Sequence, residues 1–324
     1  MKSIAELQEV FNRYLNKQSF RNQPEELYIP FQYILSLGGK RMRPTMVLLG
    51  CEMFSHDAEQ ALPQAMAIEL FHNFSLIHDD IMDKAPLRRG KPTVHEKFNN
   101  NTAILSGDVM LVYAYEYLLE NSKEKAEQLI RLFNRTAIEV CEGQQFDMNF
   151  ENDNCVSVND YLKMIELKTA VLLGCALKMG AIMGGANEDD TNRICEVGRK
   201  LGIAFQLQDD VLDSFGDEKK FGKQPGGDII QNKKTMLLIE TLEKATEEQL
   251  KVLKFWMDKK EFEPKEKVKA IMDIYYELNI RDVAENEILR YYEEAMLTLD
   301  EIDIPEIGKT EIRNFAKSLL VRES

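Results

Sequence analysis

Apolar residues recur at three- and four-residue spacing along almost the whole chain. This spacing places them on one face of an α-helix. The sequence contains no alternating run long enough to predict a strand and no linker or low-complexity tract. The pattern therefore predicts an all-α protein, with helices near 3–16, 24–37, 43–55, 63–84, 100–120, 123–150, 158–184, 188–215, 231–243, 246–259, 264–277, 280–299 and 306–321.

We expect these helices to form one large domain over residues 1–324, because a chain of 324 residues can bury a substantial core. The long apolar helices at 63–84 and 158–184 are expected at its centre. The core that carries the sequence motifs spans about 35–235, and the charge-rich helices of 236–324 are expected at the periphery.

The net charge of −14 argues against a nucleic-acid partner, since no basic excess is present to neutralise a phosphate backbone. The sequence contains no uninterrupted apolar stretch of about 18 residues, so no transmembrane segment is predicted. The N-terminus lacks the basic start and apolar run of a signal peptide, so a cytoplasmic protein is expected.

The five cysteines are widely spaced and include no Cys-x-x-Cys pair, so neither a zinc site nor a disulfide framework is expected. Cys51, Cys141 and Cys175 lie in apolar helical stretches and are predicted to be reduced core residues.

Two Asp-Asp-x-x-Asp clusters, at 79–83 and 209–213, follow apolar helical segments and precede glycine-containing loops. Like charges at this spacing oppose helix formation by roughly 0.2–0.5 kcal/mol per pair. A divalent cation removes that penalty, and carboxylate oxygens with open coordination positions suit Mg²⁺ that also binds phosphate. One such cluster is equally consistent with a chance surface cluster. The second copy favours two helix-borne clusters that face each other across a bundle and hold a diphosphate through metal ions.

Basic residues accompany the clusters. The segment 38–44, Gly-Gly-Lys-Arg-Met-Arg-Pro, places cations in a glycine turn at a helix start, where backbone N–H groups also favour anions. Arg88 and Arg89 follow the first cluster in a short loop, and arginine forks match phosphate oxygens. Each group alone is also consistent with a solvated face or a helix cap; together with two metal clusters, they favour a diphosphate site.

These motifs, in this order, resemble those of the trans-polyprenyl diphosphate synthases, the family of farnesyl and geranylgeranyl diphosphate synthases. Segment 38–44 resembles the isopentenyl diphosphate segment, and 79–90 resembles the first aspartate-rich motif with its arginine pair. The later blocks of the family are matched by Gly143 to Asp147, Lys168-Thr169, Phe205 to Asp213, Gly222-Lys223, Asp228 and Asn232-Lys233.

The resemblance implies roles for individual residues. Isopentenyl diphosphate would be bound by Lys40, Arg43, His72 and Arg89. The allylic diphosphate would be bound by Arg88, Lys168 and Lys223, and Lys233 is also predicted to bind substrate. The main Mg²⁺ ligands would be Asp79, Asp83 and Asp209, with Asp80 and Asp213 supporting them and Asp147 close by. The allylic cation would be stabilised by Thr169, Gln206 and the main chain near Lys168.

From the residues alone, other readings stay open for four of these positions. Lys168 is equally consistent with a lysine whose stem packs on apolar surface while its charge reaches water. Taken alone, Lys223 and Lys233 are more typical of surface lysines, and His72 is more typical of a structural histidine than of a ligand.

The resemblance also implies the fold and the reaction. The fold would be the all-α isoprenoid synthase type I fold, a single large helical bundle with a central active-site cavity. Three Mg²⁺ per active site, with Mn²⁺ as a substitute, and a homodimer are implied. The reaction would join isopentenyl diphosphate to dimethylallyl, geranyl or farnesyl diphosphate by ionisation, condensation and elimination.

Product length depends on the residues before Asp79. At about 100° per residue, Ser75 and Phe71 lie near the Asp79 face of the helix, and Phe74 lies on its flank. In the family, a bulky residue four or five positions before the first aspartate limits chain growth. The segment before Asp79 most resembles geranylgeranyl synthases of the archaeal kind, which favours a twenty-carbon product, with fifteen carbons as the alternative. Phe74 is also consistent with simple core packing.

Two other functions are weighed against this one. A class I terpene cyclase shares the helical fold and one Asp-Asp-x-x-Asp cluster, but it would carry a different second metal motif and would not need the segment 38–44. A non-catalytic subunit of a heteromeric synthase commonly lacks one cluster or the arginine pair, whereas this chain has all of them.

Overall fold

A computed structural model describes residues 1–151, 153, 155–216 and 226–320. Helices dominate this part of the chain, which confirms the all-α prediction. The α-helices of its first half are α1 Ile4–Leu15, α2 Glu25–Ser36, α3 Met42–Ser55, α4 Leu62–Met82, α5 Val94–Lys97, α6 Asn100–Leu119 and α7 Ala126–Phe150. The second half contains α8 Val158–Ile165, α9 Val171–Gly184, α10 Glu188–Phe215, α11 Gly227–Gln231, α12 Met236–Lys244, α13 Glu247–Asp258, α14 Pro264–Glu277, α15 Ile280–Asp300 and α16 Glu306–Leu320.

Shorter elements complete the described chain. Two strands of two residues each, β1 Leu87–Arg88 and β2 Lys91–Pro92, pair antiparallel in the loop after α4. Single 3₁₀ turns precede α4 and α7, at Ala58–Ala61 and Lys123–Lys125. A π-helical turn, Glu166–Ala170, joins α8 to α9.

The predicted helix at 231–243 differs most from the structure. It is replaced by the short helix α11 and the later helix α12. Asn232 has φ 55°, in the left-handed region that interrupts a right-handed helix. Its short polar side chain tolerates this conformation, so the chain turns there and begins a new helix after Thr235.

The first of two compact units contains Met1–Ala137, Leu172–Cys195 and Ile302–Glu311. In this unit α4 packs against α3 and α6. The residues of α4 from Pro63 to Phe71 are all buried, and a helix that is apolar on nearly every side belongs in a core. The predicted central position of α4 is therefore confirmed for this unit.

The second unit contains Ile138–Val171, Glu196–Glu301 and Ile312–Ser324. Its core joins Tyr161 of α8 and Leu207 of α10 to Ile271, Tyr275 and Ile288 of α14 and α15. The C-terminal helices, predicted at the periphery, thus supply part of this core, because their apolar stripes face inward despite their charged outer faces. The single-domain organisation over 1–324 stays a prediction.

The helical run from Val158 to Gly184 is, among the described residues, the one run long and apolar enough to cross a membrane. In its most apolar window, 72% of the residues are buried inside the protein, as in the core helix of a folded domain. Length and composition alone do not distinguish the two situations.

Cys51 and Cys175 are buried and reduced, as predicted, but the prediction for Cys141 was wrong because Cys141 is exposed. Its helix α7 also exposes Ile138, one turn earlier, with 59% of its surface accessible. The stretch is apolar, yet no described part of this chain covers that face.

Candidate active site

Each aspartate cluster occupies the last turns of a long helix. Asp79 and Asp80 lie near the end of α4, where Asp83 is the C-terminal cap and its N–H donates to the Asp79 carbonyl at 2.9 Å. The second cluster, 209–213, lies in the last two turns of α10. The C-terminal end of a helix carries partial negative charge, which disfavours carboxylates. A nearby cation would therefore stabilise both clusters.

The first cluster separates its three carboxylates by burial. Asp80 is 1% exposed, whereas Asp79 is half-buried and Asp83 is exposed. Both oxygens of Asp80 accept hydrogen bonds from Arg88, at 2.8 Å from Nε and 2.7 Å from Nη2. Burial alone would lower the pKa of Arg88, but the hydrogen bonds and charge of Asp80 raise it. Asp80 thus anchors the β1–β2 loop, and its predicted support of Mg²⁺ stays a prediction.

Arg89, at the turn of the same loop, reaches the glycine segment 38–44. Its guanidinium donates to the Gly38 carbonyl. Gly39 has φ 127°, and a Cβ built there would lie 2.7 Å from the guanidinium carbon of Arg89. Any side chain at Gly39 would therefore displace Arg89. Two elements that the sequence assigned to one diphosphate, the glycine segment and Arg89, are brought together in the first unit.

Arg43 and His72 also meet, with 3.2 Å between Nη1 of Arg43 and Nε2 of His72. Burial, followed by the charges of Arg43, Arg89, Arg88 and Arg41, holds the pKa of His72 well below its ordinary value. A neutral imidazole can accept a hydrogen bond from arginine, whereas a protonated ring would repel it. His72 thus serves this cationic cluster as an uncharged acceptor.

This lowered pKa predicts a pH effect on stability. The unfolded chain protonates His72 near its ordinary pKa of 6.5 while the folded protein does not, so this group makes folding less favourable as pH falls below about 6.5. We expect His72→Gln, which keeps an acceptor for Arg43, to lose less melting temperature between about pH 7.5 and about pH 5.5 than the parent. Thermal unfolding at both pH values measures this, and an equal or larger loss in the variant would contradict it.

The residues predicted to set product length lie along α4. Phe71 is 1% exposed, and its ring centroid lies 5.7 Å from that of Phe74 and 5.2 Å from that of Phe133. The Phe74 ring also packs on His78, 4.7 Å away. Ser75 is half-buried, and its hydroxyl donates to the His72 carbonyl at 2.9 Å. Phe71 and Phe74 therefore belong to one aromatic cluster, in which Phe133 of α7 was not foreseen from the sequence.

In the second unit, Lys168 lies in the π-helical turn Glu166–Ala170, and its Nζ donates to Oδ2 of Asp147 at 2.5 Å. A Cβ at Gly143 would lie 2.2 Å from the Lys168 backbone nitrogen. Gly143 thus lets α7 approach the turn closely enough for Asp147, one helical turn later, to reach Lys168. The block Gly143 to Asp147 and the pair Lys168-Thr169 are thus brought together in the second unit.

The second cluster repeats the burial pattern of the first. Asp210 is 3% exposed, while Asp209 and Asp213 are half-buried. Asp210 accepts hydrogen bonds from the Tyr161 hydroxyl and, at 3.1 Å, from Gln206. Burial raises the pKa of Asp210 to about 7, although Lys233 and these two hydrogen bonds act to lower it. The inner aspartate is thus held by the protein, and the outer two are the more accessible.

Asp213 of the cluster and Lys233 both contact Asp228, which follows the cluster in the chain. Oδ2 of Asp213 accepts the Asp228 backbone N–H at 2.8 Å. Nζ of Lys233 lies 3.9 Å from Oδ1 of Asp228. Burial would lower the pKa of Lys233, but the carboxylates of Asp228, Asp210, Asp147 and Asp213 together raise it. Lys233 therefore keeps its positive charge among acidic side chains of this unit. Lys223, predicted to bind the allylic diphosphate, lies outside the described residues.

A family model described as polyprenyl synthetase matches residues 24–275. The chain belongs to the polyprenyl synthetase family. A geranylgeranyl diphosphate synthase of Methanosarcina mazei is 38% identical over 304 residues, covering 93% of this chain and 91% of the relative. A geranylfarnesyl diphosphate synthase of Natronomonas pharaonis is 38% identical over 255 residues, covering 73% of this chain and 75% of the relative.

A crystal structure of a geranylgeranyl pyrophosphate synthase is also similar, with a TM-score of 0.94 and 43% identity over 100% of both chains. This polyprenyl synthetase therefore has the all-α isoprenoid synthase fold, and it is an enzyme of the short-chain prenyltransferase class.

Sequence reasoning missed three buried residues of this polyprenyl synthetase that lie beside predicted site residues, Arg41 and Glu69 in the first unit and Tyr161 in the second. Arg41, counted only as part of the basic segment, points inward to a buried ion pair with Glu69 and donates to the Leu35 carbonyl at 2.6 Å. Glu69 within an apolar helix was the signal for this pair, since a buried carboxylate needs a cation. Tyr161 belongs to no motif, and no sequence signal connects it to Asp210.

Proposed function

We propose that this enzyme joins isopentenyl diphosphate to allylic diphosphates in an Mg²⁺-dependent reaction, with geranylgeranyl diphosphate as its main product. The observation that carries the proposal is the arrangement shared by the two clusters. In each, the inner aspartate is buried and accepts side-chain hydrogen bonds, and the outer two are less buried, at the negative end of a helix. This arrangement suits ligands of a cation that also binds phosphate.

The metal fits these residues by its chemistry. No group of three or more His, Cys, Asp or Glu side chains forms a metal cage in the described ranges. Mg²⁺ does not need one, since it usually keeps several waters and takes one or two carboxylates together with substrate phosphates. We propose that Mg²⁺, three ions per site, is held by Asp79, Asp83 and Asp209, with Asp213 in support. When bound, it would neutralise the departing diphosphate.

The side chains of the protein supply the rest of the chemistry. Lys40, Arg43, Arg89 and neutral His72 would hold isopentenyl diphosphate. Arg88 and Lys168 would hold the allylic diphosphate, and Lys233 would also bind substrate. The allylic C–O bond breaks and its electron pair stays on diphosphate. The electron pair of the isopentenyl double bond then forms the new C–C bond, and a proton passes to the released diphosphate. Thr169 and Gln206 would stabilise the cation between these steps.

A twenty-carbon product is supported by the aromatic cluster of Phe71, Phe74 and Phe133 and by the name of the Methanosarcina mazei relative. A fifteen-carbon product is the alternative.

We expect Phe71→Ala and Phe74→Ala to lengthen the product, because each removes a bulky ring from this cluster. Chromatography of dephosphorylated products measures chain length. Leu297→Ala, at a side chain 67% exposed in the second unit, is the control and should leave the product length unchanged. Unchanged product length in both Phe variants would contradict the proposed role of these rings in limiting chain growth.

The reaction itself is tested by incubating the protein with isopentenyl diphosphate, Mg²⁺ and dimethylallyl, geranyl or farnesyl diphosphate in turn. We expect product from each primer, ending mainly at twenty carbons. Accumulation of fifteen carbons from dimethylallyl diphosphate, without use of farnesyl diphosphate, would assign the alternative product. A cyclised hydrocarbon formed without isopentenyl diphosphate would assign a terpene cyclase instead.

We also propose a homodimer, and an exposed stripe on α6 supports it. Leu105, Val112 and Leu119 recur every seven residues and are 57%, 60% and 46% exposed. Apolar side chains at this spacing form one helix face that a second helix can cover. We expect the parent to have twice the mass of one chain in light scattering, and Val112→Asp to have the mass of one chain. A parent of single-chain mass would contradict the dimer.

The cytoplasmic location stays a prediction.

A further inference from the structure

Three hydrogen bonds connect Tyr161 to Thr169 within the second unit. The Tyr161 hydroxyl donates to Oδ2 of Asp210. Nε2 of Gln206 donates to the other oxygen, Oδ1 of Asp210, at 3.1 Å. The Thr169 hydroxyl donates to Oε1 of Gln206 at 3.3 Å. We infer that Tyr161 is a positioning residue, which orients the Gln206 amide through Asp210. This inference rests on the proposed function, because it concerns how the allylic cation is stabilised.

The orientation of this amide matters because its two ends differ in charge. The carbonyl oxygen is a hydrogen-bond acceptor that attracts a cation, and the NH₂ group is a donor that repels one. The terminal torsion of glutamine is broad and roughly two-fold, so both orientations are sterically accessible. A partner whose facing oxygen accepts a hydrogen bond from the amide selects one of them. Asp210 accepts from Nε2, which leaves Oε1 directed to Thr169.

Asp210 can do this only if its own carboxylate is held. It is 3% exposed, and Tyr161 beside it is 1% exposed. The Tyr161 ring packs in the apolar core of this unit with Leu207 and Tyr275, which fixes the hydroxyl in place. With one oxygen bound to Tyr161, the carboxylate cannot rotate freely, and its second oxygen stays opposite Gln206. Removing the Tyr161 hydroxyl would leave the buried Oδ2 of Asp210 without this donor. The Asp210 carboxylate could then rotate and would hold the Gln206 amide less firmly.

Tyr161→Phe removes the hydroxyl and keeps the ring. We expect kcat to fall about tenfold, the scale of one hydrogen bond to a charged group, with KM for both diphosphates unchanged. A less stabilised cation should also be captured by water more often. Water then forms the C–O bond of an allylic alcohol, and its proton passes to the released diphosphate. The fraction of primer converted to alcohol should therefore rise.

A double-mutant cycle separates positioning from a general structural role. If Tyr161 acts through Gln206, Tyr161→Phe should have no further effect on kcat or on the alcohol fraction in a Gln206→Ala background. Tyr117→Phe is the matched control. Its hydroxyl donates to Oε1 of Gln18 at 2.9 Å in the first unit, so its loss should affect stability and leave the alcohol fraction unchanged.

The outcomes distinguish this inference from the proposed function. No product from the parent protein would overturn the proposed function itself. With an active parent, an unchanged kcat and alcohol fraction in Tyr161→Phe would overturn the inference alone. A full tenfold effect of Tyr161→Phe in the Gln206→Ala background would also overturn it, because Tyr161 would then act by another route.

Discussion

Asp79→Ala is expected to lower kcat on the order of 10³-fold, the largest single effect we predict. Asp79 is half-buried near the negative end of α4, and we propose that its carboxylate is a main ligand of Mg²⁺. Without it, the developing charge on the departing diphosphate loses its principal neutralising centre. Steady-state rates of isopentenyl diphosphate incorporation at saturating Mg²⁺ measure the effect.

Two controls identify the cause of such a loss. Asp189→Asn removes an exposed carboxylate from the same unit and should keep the parent kcat. Asp79→Ala should also unfold at a temperature close to that of the parent, since the change relieves like-charge repulsion at the end of a helix. A kcat close to the parent value in Asp79→Ala would contradict the metal role of this cluster.

Lys168→Met is expected to lower kcat on the order of 10²-fold, the second largest effect. Met keeps most of the apolar stem and removes the ammonium group, which we propose stabilises the departing allylic diphosphate. The π-helical turn and the 2.5 Å contact with Asp147 hold this group in a defined position. Single-turnover measurements of allylic product formation separate this effect from slow product release.

The matched control for this prediction is Lys163→Met. Lys163 lies in the same helical run, and its side chain is 55% exposed, 3.1 Å from Glu166. Its replacement should leave the single-turnover rate unchanged. If both lysine variants react at the parent rate, the ion pair of Lys168 with Asp147 is structural and the proposed role of Lys168 in the reaction is contradicted.

Much of the fold was predictable because helical periodicity records which face of each segment is buried. The same pattern placed both aspartate clusters on helices. Periodicity does not report which partner a buried polar group finds across space. It therefore could not foresee that Arg88 binds both oxygens of Asp80.

The remaining differences have related causes. The π-helical turn around Lys168 lies against Gly143 of another helix, a contact that local periodicity does not report, and the sequence predicted an uninterrupted helix. Cys141 was predicted to be buried because its stretch is apolar, but no part of the chain that the structure describes covers that face. Arg41 was grouped with its basic neighbours, although Glu69, 28 residues later, turns it inward.

The central claim is prenyl transfer that depends on a divalent metal, and incorporation of labelled isopentenyl diphosphate into an acid-labile allylic product tests it most directly. The purified protein is incubated with farnesyl diphosphate and Mg²⁺, then with excess chelator, and then with Mg²⁺ restored. We predict incorporation with Mg²⁺, none with chelator and recovery when Mg²⁺ returns. Incorporation that persists in chelator, or none with any allylic primer in the presence of Mg²⁺, would contradict the account.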